Sequence, residues 1–282
     1  MKNAENEVTI EGTKKKSVFI PVDKNVTLKI IHFTPEKPKT TMPVIMVTGL
    51  ATLMISFSEV VSFLAQHIPI IYVETREKKS SQIKGKVSYG IETQGHDLAT
   101  IVNYFKLEEK EYFMLGYSYG ATIIADSYRY IANKPKGIIF LEPTPVFHYP
   151  RWSLLLVKYL GSQLYFILKP IAKWYLGNFQ INKKEDNEMA VITSQSLDNA
   201  NPYKLKRVIL DIAKYEVWEI LKFIDCQTLV VGTSKDRLHI KSEVERMLKM
   251  LKNAKYLDLQ TNLRSHSKEM GEIALSFFQS RE

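Results

Sequence analysis

Ser118 is the residue whose surroundings suit nucleophilic chemistry. It lies in Gly116-Tyr117-Ser118-Tyr119-Gly120. The apolar run Tyr112-Phe113-Met114-Leu115 leads in, and Ala121-Thr122-Ile123-Ile124 follows. This order reads as strand, sharp turn, helix. Such a turn strains the serine backbone and lifts its hydroxyl clear of the sheet. Gly116 and Gly120 are needed because side chains there would collide with the neighbouring strand or the turn itself. The amide of Tyr119 stands at a helix N-terminus, where an oxyanion is stabilised. A bare Gly-x-Ser-x-Gly also fits a glycine-rich turn with an idle serine. The strand before it and the helix after it favour the nucleophile.

A serine hydroxyl needs a general base, usually histidine, and a carboxylate to orient that base. Six histidines are available. His32 falls on an early strand, His67 at a helix end, His96 at a helix start and His148 in an inserted region. His239 and His266 follow late strands. Catalytic groups in open α/β sheets gather at the carboxyl ends of strands, so His266 and His239 meet the condition best. The acids that meet it are Asp236, past Val231-Gly232, and Glu142, past Phe140-Leu141.

The elements that must hold these groups can be read along the chain. Val8 to Ile10, Ser17 to Val22 and Val26 to Phe33 read as short antiparallel strands. Pro43 to Val47, Ile68 to Val73, Gly137 to Leu141 and Thr228 to Gly232 are apolar runs, as expected of strands buried on both faces. Helices are expected over Phe57–Gln66, Gln94–Phe105, Val244–Leu251 and Ser267–Gln279, with a last short strand at Tyr256–Leu259. Glu74 to Val87 reads as a charged, lysine-rich loop. Such alternation gives an α/β fold: a mostly parallel central sheet with helices on both faces.

At this point the chain resembles the α/β-hydrolase family. The resemblance rests on the elbow around Ser118, on Leu229-Val230-Val231-Gly232-Thr233-Ser234-Lys235-Asp236, and on Arg264-Ser265-His266-Ser267. Their order, Ser then Asp then His, is the family's order. It implies Ser118 as nucleophile, His266 as base and Asp236 as orienting acid, with Glu142 the alternative acid. Leu50, after Thr48-Gly49, matches the family position whose amide joins that of Tyr119 in an oxyanion hole. The chain departs from the family at Thr48-Gly49, where many members carry His-Gly, and at Ser265-His266, where many carry Gly-His. The family's frequent Gly-x-Gly-x-Ser is replaced by Glu74-Thr75-Arg76-Glu77-Lys78-Lys79-Ser80-Ser81. These departures bear on subfamily and substrate.

The resemblance implies a core of residues 1–143 and 203–282 with a helical cap inserted over 144–202. Within the cap, Arg151 to Leu176 is rich in aliphatics and aromatics, with Arg151, Lys158, Lys169 and Lys173 near one side of a helix. Pro170 breaks it into two helices. Two uses are open. The apolar face of Leu154, Leu155, Leu156, Leu160, Ile167 and Leu168 can pack over Ser118 as a lid. Alternatively the stretch, with Trp152 and Trp174 near its ends, can face an anionic membrane. Either use makes the pocket roof apolar, which fits an acyl or aromatic substrate group.

Of the 282 residues, 39 are Lys or Arg and 30 Asp or Glu, a formal charge of +9. The lysines are scattered and no nucleic-acid motif occurs, so a nucleic-acid partner is not expected. Met1 to Glu7 is polar, without the apolar core of a signal peptide, and Cys226 is the single cysteine. Both point to the cytoplasm, with peripheral membrane contact the open addition. The sequence-level expectation is a serine hydrolase for an ester with an apolar acyl group, needing no metal or organic cofactor. The same triad could serve thioester cleavage, carbon–carbon cleavage or acyl transfer, and the fold also serves proteins that bind without turnover.

Overall fold

A computed structural model describes residues 10–159, 161, 165–166, 169–170, 173, 187–235 and 241–280. Strands β1 (Thr13–Asp23) and β2 (Val26–Pro35) form an antiparallel hairpin at one edge of the sheet. Next to β2 lies β4 (Ile70–Val73), also antiparallel to it. From β4 onward every pairing is parallel: β3 (Val44–Val47), β6 (Phe113–Tyr117), β7 (Gly137–Leu141), β8 (Gln227–Gly232) and β9 (Ala254–Asp258). A two-residue strand, β5 (Gln82–Ile83), pairs with β2 inside the expected loop. The expected Val8–Ile10 strand falls largely outside the described residues.

The sheet is covered on both faces because its central strands are apolar at every position. In β3, Ile45 and Val47 point to one side, Val44 and Met46 to the other, as strand periodicity requires. The first side receives α2 (Ile91–Tyr104) and α3 (Tyr119–Ser127). The second receives α1 (Ser58–Ala65) through Val60, Val61 and Leu64.

Between β7 and β8 the chain leaves the sheet. It forms α4 (Arg151–Tyr159), α5 (Asn187–Asn199), α6 (Pro202–Ile212) and the short α7 (Trp218–Leu221). Helices are therefore inserted after β7, as expected. The helix α6 crosses the expected boundary at 202 and seats Val208 and Ile212 in the core. Its start is well specified. Asn201 caps it by accepting from the amides of Tyr203 and Lys204, both 3.1 Å, and Pro202 takes the first helical position. The chain closes with α8 (Lys241–Met250), α9 (Asn262–His266) and α10 (Lys268–Gln279). Leu160, Ile167, Leu168, Trp174 and Leu176 lie outside the described residues.

The charged, lysine-rich loop after β4 turns largely inward: Thr75, Arg76, Glu77, Lys78 and Ser81 are buried. Charges can be buried when paired and hydrogen-bonded. Arg76 binds Asp97 of α2 through two nitrogens, at 2.6 and 2.7 Å, and donates to the Ser88 carbonyl at 2.8 Å.

Candidate active site

Ser118 is the residue between β6 and α3, with φ 49° and ψ −112°. That left-handed backbone is strained for a side-chain-bearing residue, by about 1–3 kcal/mol. Packing enforces it. A Cβ on Gly120 would come within 2.2 Å of the Val47 carbonyl oxygen, and one on Gly116 within 2.6 Å of Ala121 Cα. Glycines at both positions let α3 start directly against β3 and β6. Tyr119 is the first residue of α3, so its N–H is among those with no acceptor inside the helix.

Two more strained residues stand at carboxyl ends of neighbouring strands. Ala51, after β3, has φ 56°, and Glu142, after β7, has φ 45°. Leu50 precedes Ala51 in the turn that follows β3. That turn lies close to the elbow, because a Cβ on Gly49 would be 3.0 Å from the Tyr117 ring. Gly49 accepts from the Thr52 amide at 3.1 Å.

His266 ends α9. Its ring stacks on Phe57 at 4.2 Å between centroids and meets the Tyr117 ring edge-on at 5.0 Å. It thus lies beside the residue that precedes Ser118. Nδ1 sits 2.8 Å from the Asn262 carbonyl oxygen. A carbonyl only accepts, so Nδ1 donates to it, and in the neutral ring the lone pair is then on Nε2. That is the tautomer a general base needs. The Ser118 hydroxyl lies 3.0 Å from the Thr144 hydroxyl, and Thr122 Oγ1 donates to the Thr144 carbonyl at 2.6 Å.

Of the two acid candidates, Glu142 is fully buried at the end of β7, and its amide donates to the Val231 carbonyl at 2.7 Å. With the Asn262 side chain oriented to satisfy its neighbours, its NH2 donates to both Glu142 oxygens at 3.1 Å and to Thr233 Oγ1 at 3.2 Å. Asn262 therefore touches Glu142 through its side chain and His266 through its backbone. Asp236 and His239 lie outside the described residues.

The remaining histidines are occupied elsewhere. His32 packs its edge on Phe105, and burial lowers its pKa. His67 Nδ1 lies 2.7 Å from the Phe63 carbonyl oxygen. His96 stacks on Tyr130, and His148 contacts Glu243. Sequence reasoning missed Thr144 and Asn262 at this site. Thr144 follows β7 by three residues, so the strand-end rule applied to Ser118 could have flagged it.

No protein-family model matches this sequence, and no curated protein matches it. Solved structures do. An esterase from Thermogutta terrifontis is 16% identical, with a TM-score of 0.74 over 95% of this chain and 99% of that one. An enol-lactonase from Burkholderia xenovorans is 15% identical, with a TM-score of 0.76 over 93% of this chain and all of that one. A bromoperoxidase from Bacillus anthracis is 16% identical, with a TM-score of 0.72 over 94% of this chain and all of that one. The chain has the α/β-hydrolase fold. One fold serving an esterase, a lactonase and a bromoperoxidase leaves the reaction to be argued from the site.

Proposed function

We propose that the protein is a serine hydrolase that cleaves a carboxylic ester with an apolar acyl group. The observation that carries this reading is the Ser118 backbone, held at φ 49° between two glycines that leave no room for a side chain. The His266 tautomer, with its proton on Nδ1, supports the reading. So do two structures of similar fold, an esterase and an enol-lactonase.

In this reading Ser118 Oγ attacks the ester carbonyl carbon while His266 Nε2 takes the hydroxyl proton. The amides of Leu50 and Tyr119 hold the resulting oxyanion. The tetrahedral adduct collapses, the leaving alkoxide takes the proton from His266 Nε2, and the acyl group stays on Ser118. Water, deprotonated by the same nitrogen, then releases the acid and restores the serine. Asp236 orients His266. Glu142 is a second assignment with a specific observation behind it: it is buried and shares Asn262 with His266.

The cap in this reading supplies the apolar acyl site and also meets anionic lipid through α4. That helix buries none of its residues, and Trp152 and Tyr159 are 66% and 74% exposed. Arg151 and Lys158 on the same helix are exposed as well. Lys169 and Lys173 are not part of that outward charge, since both pair with Asp198, at 2.9 and 2.6 Å.

The test is labelling by a fluorophosphonate, with turnover of p-nitrophenyl esters from acetate to octanoate. Ser118→Ala is expected to lose labelling and to lower kcat by on the order of 10⁶-fold. A labelled alanine variant would remove Ser118 as nucleophile. In the wild type each added methylene should improve binding by up to ~0.8 kcal/mol until the site is full. A flat profile would remove the apolar acyl site.

A further inference from the structure

The segment Glu74-Thr75-Arg76-Glu77-Lys78-Lys79-Ser80-Ser81, which stands in place of the family's Gly-x-Gly-x-Ser, carries a lysine whose ammonium reaches the turn after β3. Lys78 is buried. Its Nζ donates to the Gly49 carbonyl at 2.9 Å and to the Thr52 carbonyl at 2.8 Å. Those carbonyls bracket Leu50 and Ala51. The third direction of the ammonium faces Glu77 Oε1 at 3.0 Å, an ion pair without hydrogen-bond alignment. One cation thus closes the segment 49–52 from behind.

The position of Lys78 is in turn fixed from the helix that follows the insertion. Its carbonyl accepts from Lys204 Nζ of α6 at 2.7 Å and from Ser81 Oγ at 2.9 Å. Lys204 Nζ also donates to the Ser81 carbonyl at 2.7 Å and to Ser81 Oγ at 2.6 Å. Lys204 is buried, and its own amide is held by the Asn201 cap. A continuous set of bonds therefore runs from the start of α6, through Lys204 and Lys78, to the turn that carries Leu50.

We infer that Lys78 is a positioning residue for the oxyanion-binding turn, and that Lys204 ties this turn to the helix after the cap. The inference rests on the hydrolase reading above. The physical reason is geometric. An oxyanion donor works only if its N–H is already aimed at the developing charge. The Leu50 amide lies in a turn whose next residue, Ala51, has a strained φ of 56°. Two charge-assisted bonds to the carbonyls on either side of that residue resist its relaxation. A contact that serves only to aim this amide is felt in the transition state more than in the bound substrate.

The experiment compares wild type, Lys78→Met, Lys78→Arg and Lys204→Met on p-nitrophenyl butyrate, with fluorophosphonate labelling and thermal melting alongside. Lys78→Met is expected to lower kcat about 10- to 100-fold with KM changed less than about threefold, and to slow labelling in parallel. Arginine, which can span both carbonyls, should restore at least half of the lost activity on a logarithmic scale. Lys204→Met should lower kcat several-fold by loosening the Lys78 carbonyl. If Lys78→Met melts early yet keeps wild-type kcat, or if its loss appears only in KM, the positioning role is overturned. If Lys78→Met does not fold, an unchanged kcat in Lys204→Met overturns it as well. Failure of the underlying reading is distinguishable. It appears as wild-type protein that shows no Ser118-dependent labelling, and then this inference falls with it.

Discussion

Two nine-residue helices, α3 and α4, show how differently this fold treats similar lengths of chain. Every residue of α3 is buried, including Thr122, Asp126 and Ser127. None of α4 is, although it carries Trp152, Leu154, Leu155, Leu156 and Val157. Composition contributes, since α4 carries Arg151 and Lys158 while Asp126 is the single charge of α3. Attachment separates them further. The first grows straight out of β6 through a turn with no room for side chains, so it is pressed against the sheet. The second follows a stretch that has left the sheet after β7. It is joined to the rest mainly through α6, where Lys206 Nζ donates to the Lys158 carbonyl at 3.2 Å. The lesson is a division of labour. The candidate catalytic groups sit on the sheet side, and the exposed apolar side chains of α4 sit on the inserted side.

The comparison can be tested from both ends. The largest effect should come from the acid that supports His266 on the sheet side. Asp236→Asn is expected to lower kcat by on the order of 10⁴-fold, the loss seen when a triad aspartate becomes asparagine. Glu142→Gln serves as the control, read by the same ester assay. A greater loss in Glu142→Gln would move the acid to the end of β7, one strand closer to the elbow.

A smaller effect should separate the two helices in stability. Ile124→Ala in α3 removes a fully buried side chain and should cost about 2–5 kcal/mol in urea unfolding. Leu155→Ala in α4 removes a side chain that is 55% exposed and should stay within about 0.5 kcal/mol. The same Leu155→Ala protein should sediment less with phosphatidylserine vesicles, and that binding should weaken with salt, because exposed charges are screened within about 8 Å at physiological ionic strength. Equal costs in the two helices would break the comparison. Equal sedimentation with neutral and anionic vesicles would leave α4 without a lipid role.

The smallest effect concerns the lysine that links the two sides. Burial pushes the Lys204 ammonium down to about 8, with the Glu77 charge acting the other way. In the unfolded chain it returns to about 10.4. Between these values the unfolded state binds the extra proton, so this group's contribution to stability rises as pH increases from about 8 to about 10.4. Below 8 both states are charged, and the cost of burying the charge is fully present. Lys204→Met should flatten that part of the stability-against-pH curve. An unchanged slope would mean that the ammonium is solvated in the native state.

Local pattern pointed to the elbow. Gly116 must be small because Ala121 of the same turn lies against it, whereas the lack of room at Gly120 comes from the Val47 carbonyl of β3. The buried strands were legible as well: β3, β4, β6 and β7 are apolar at nearly every position, and only a doubly covered sheet accepts that. His266 was legible from its place after the last strand, but its tautomer was not, since the Asn262 carbonyl that sets it is brought near by the turn of α9. Tertiary structure alone decided the fate of Arg76, Lys78 and Lys204. As sequence they are charges that belong in water. Each is buried because a partner distant in the chain meets it: Asp97 for Arg76, the Gly49 and Thr52 carbonyls for Lys78, the Lys78 and Ser81 carbonyls for Lys204. No window of sequence contains both members of such a pair. A buried charge is tolerable only when its partner arrives, so its location was settled by the fold as a whole.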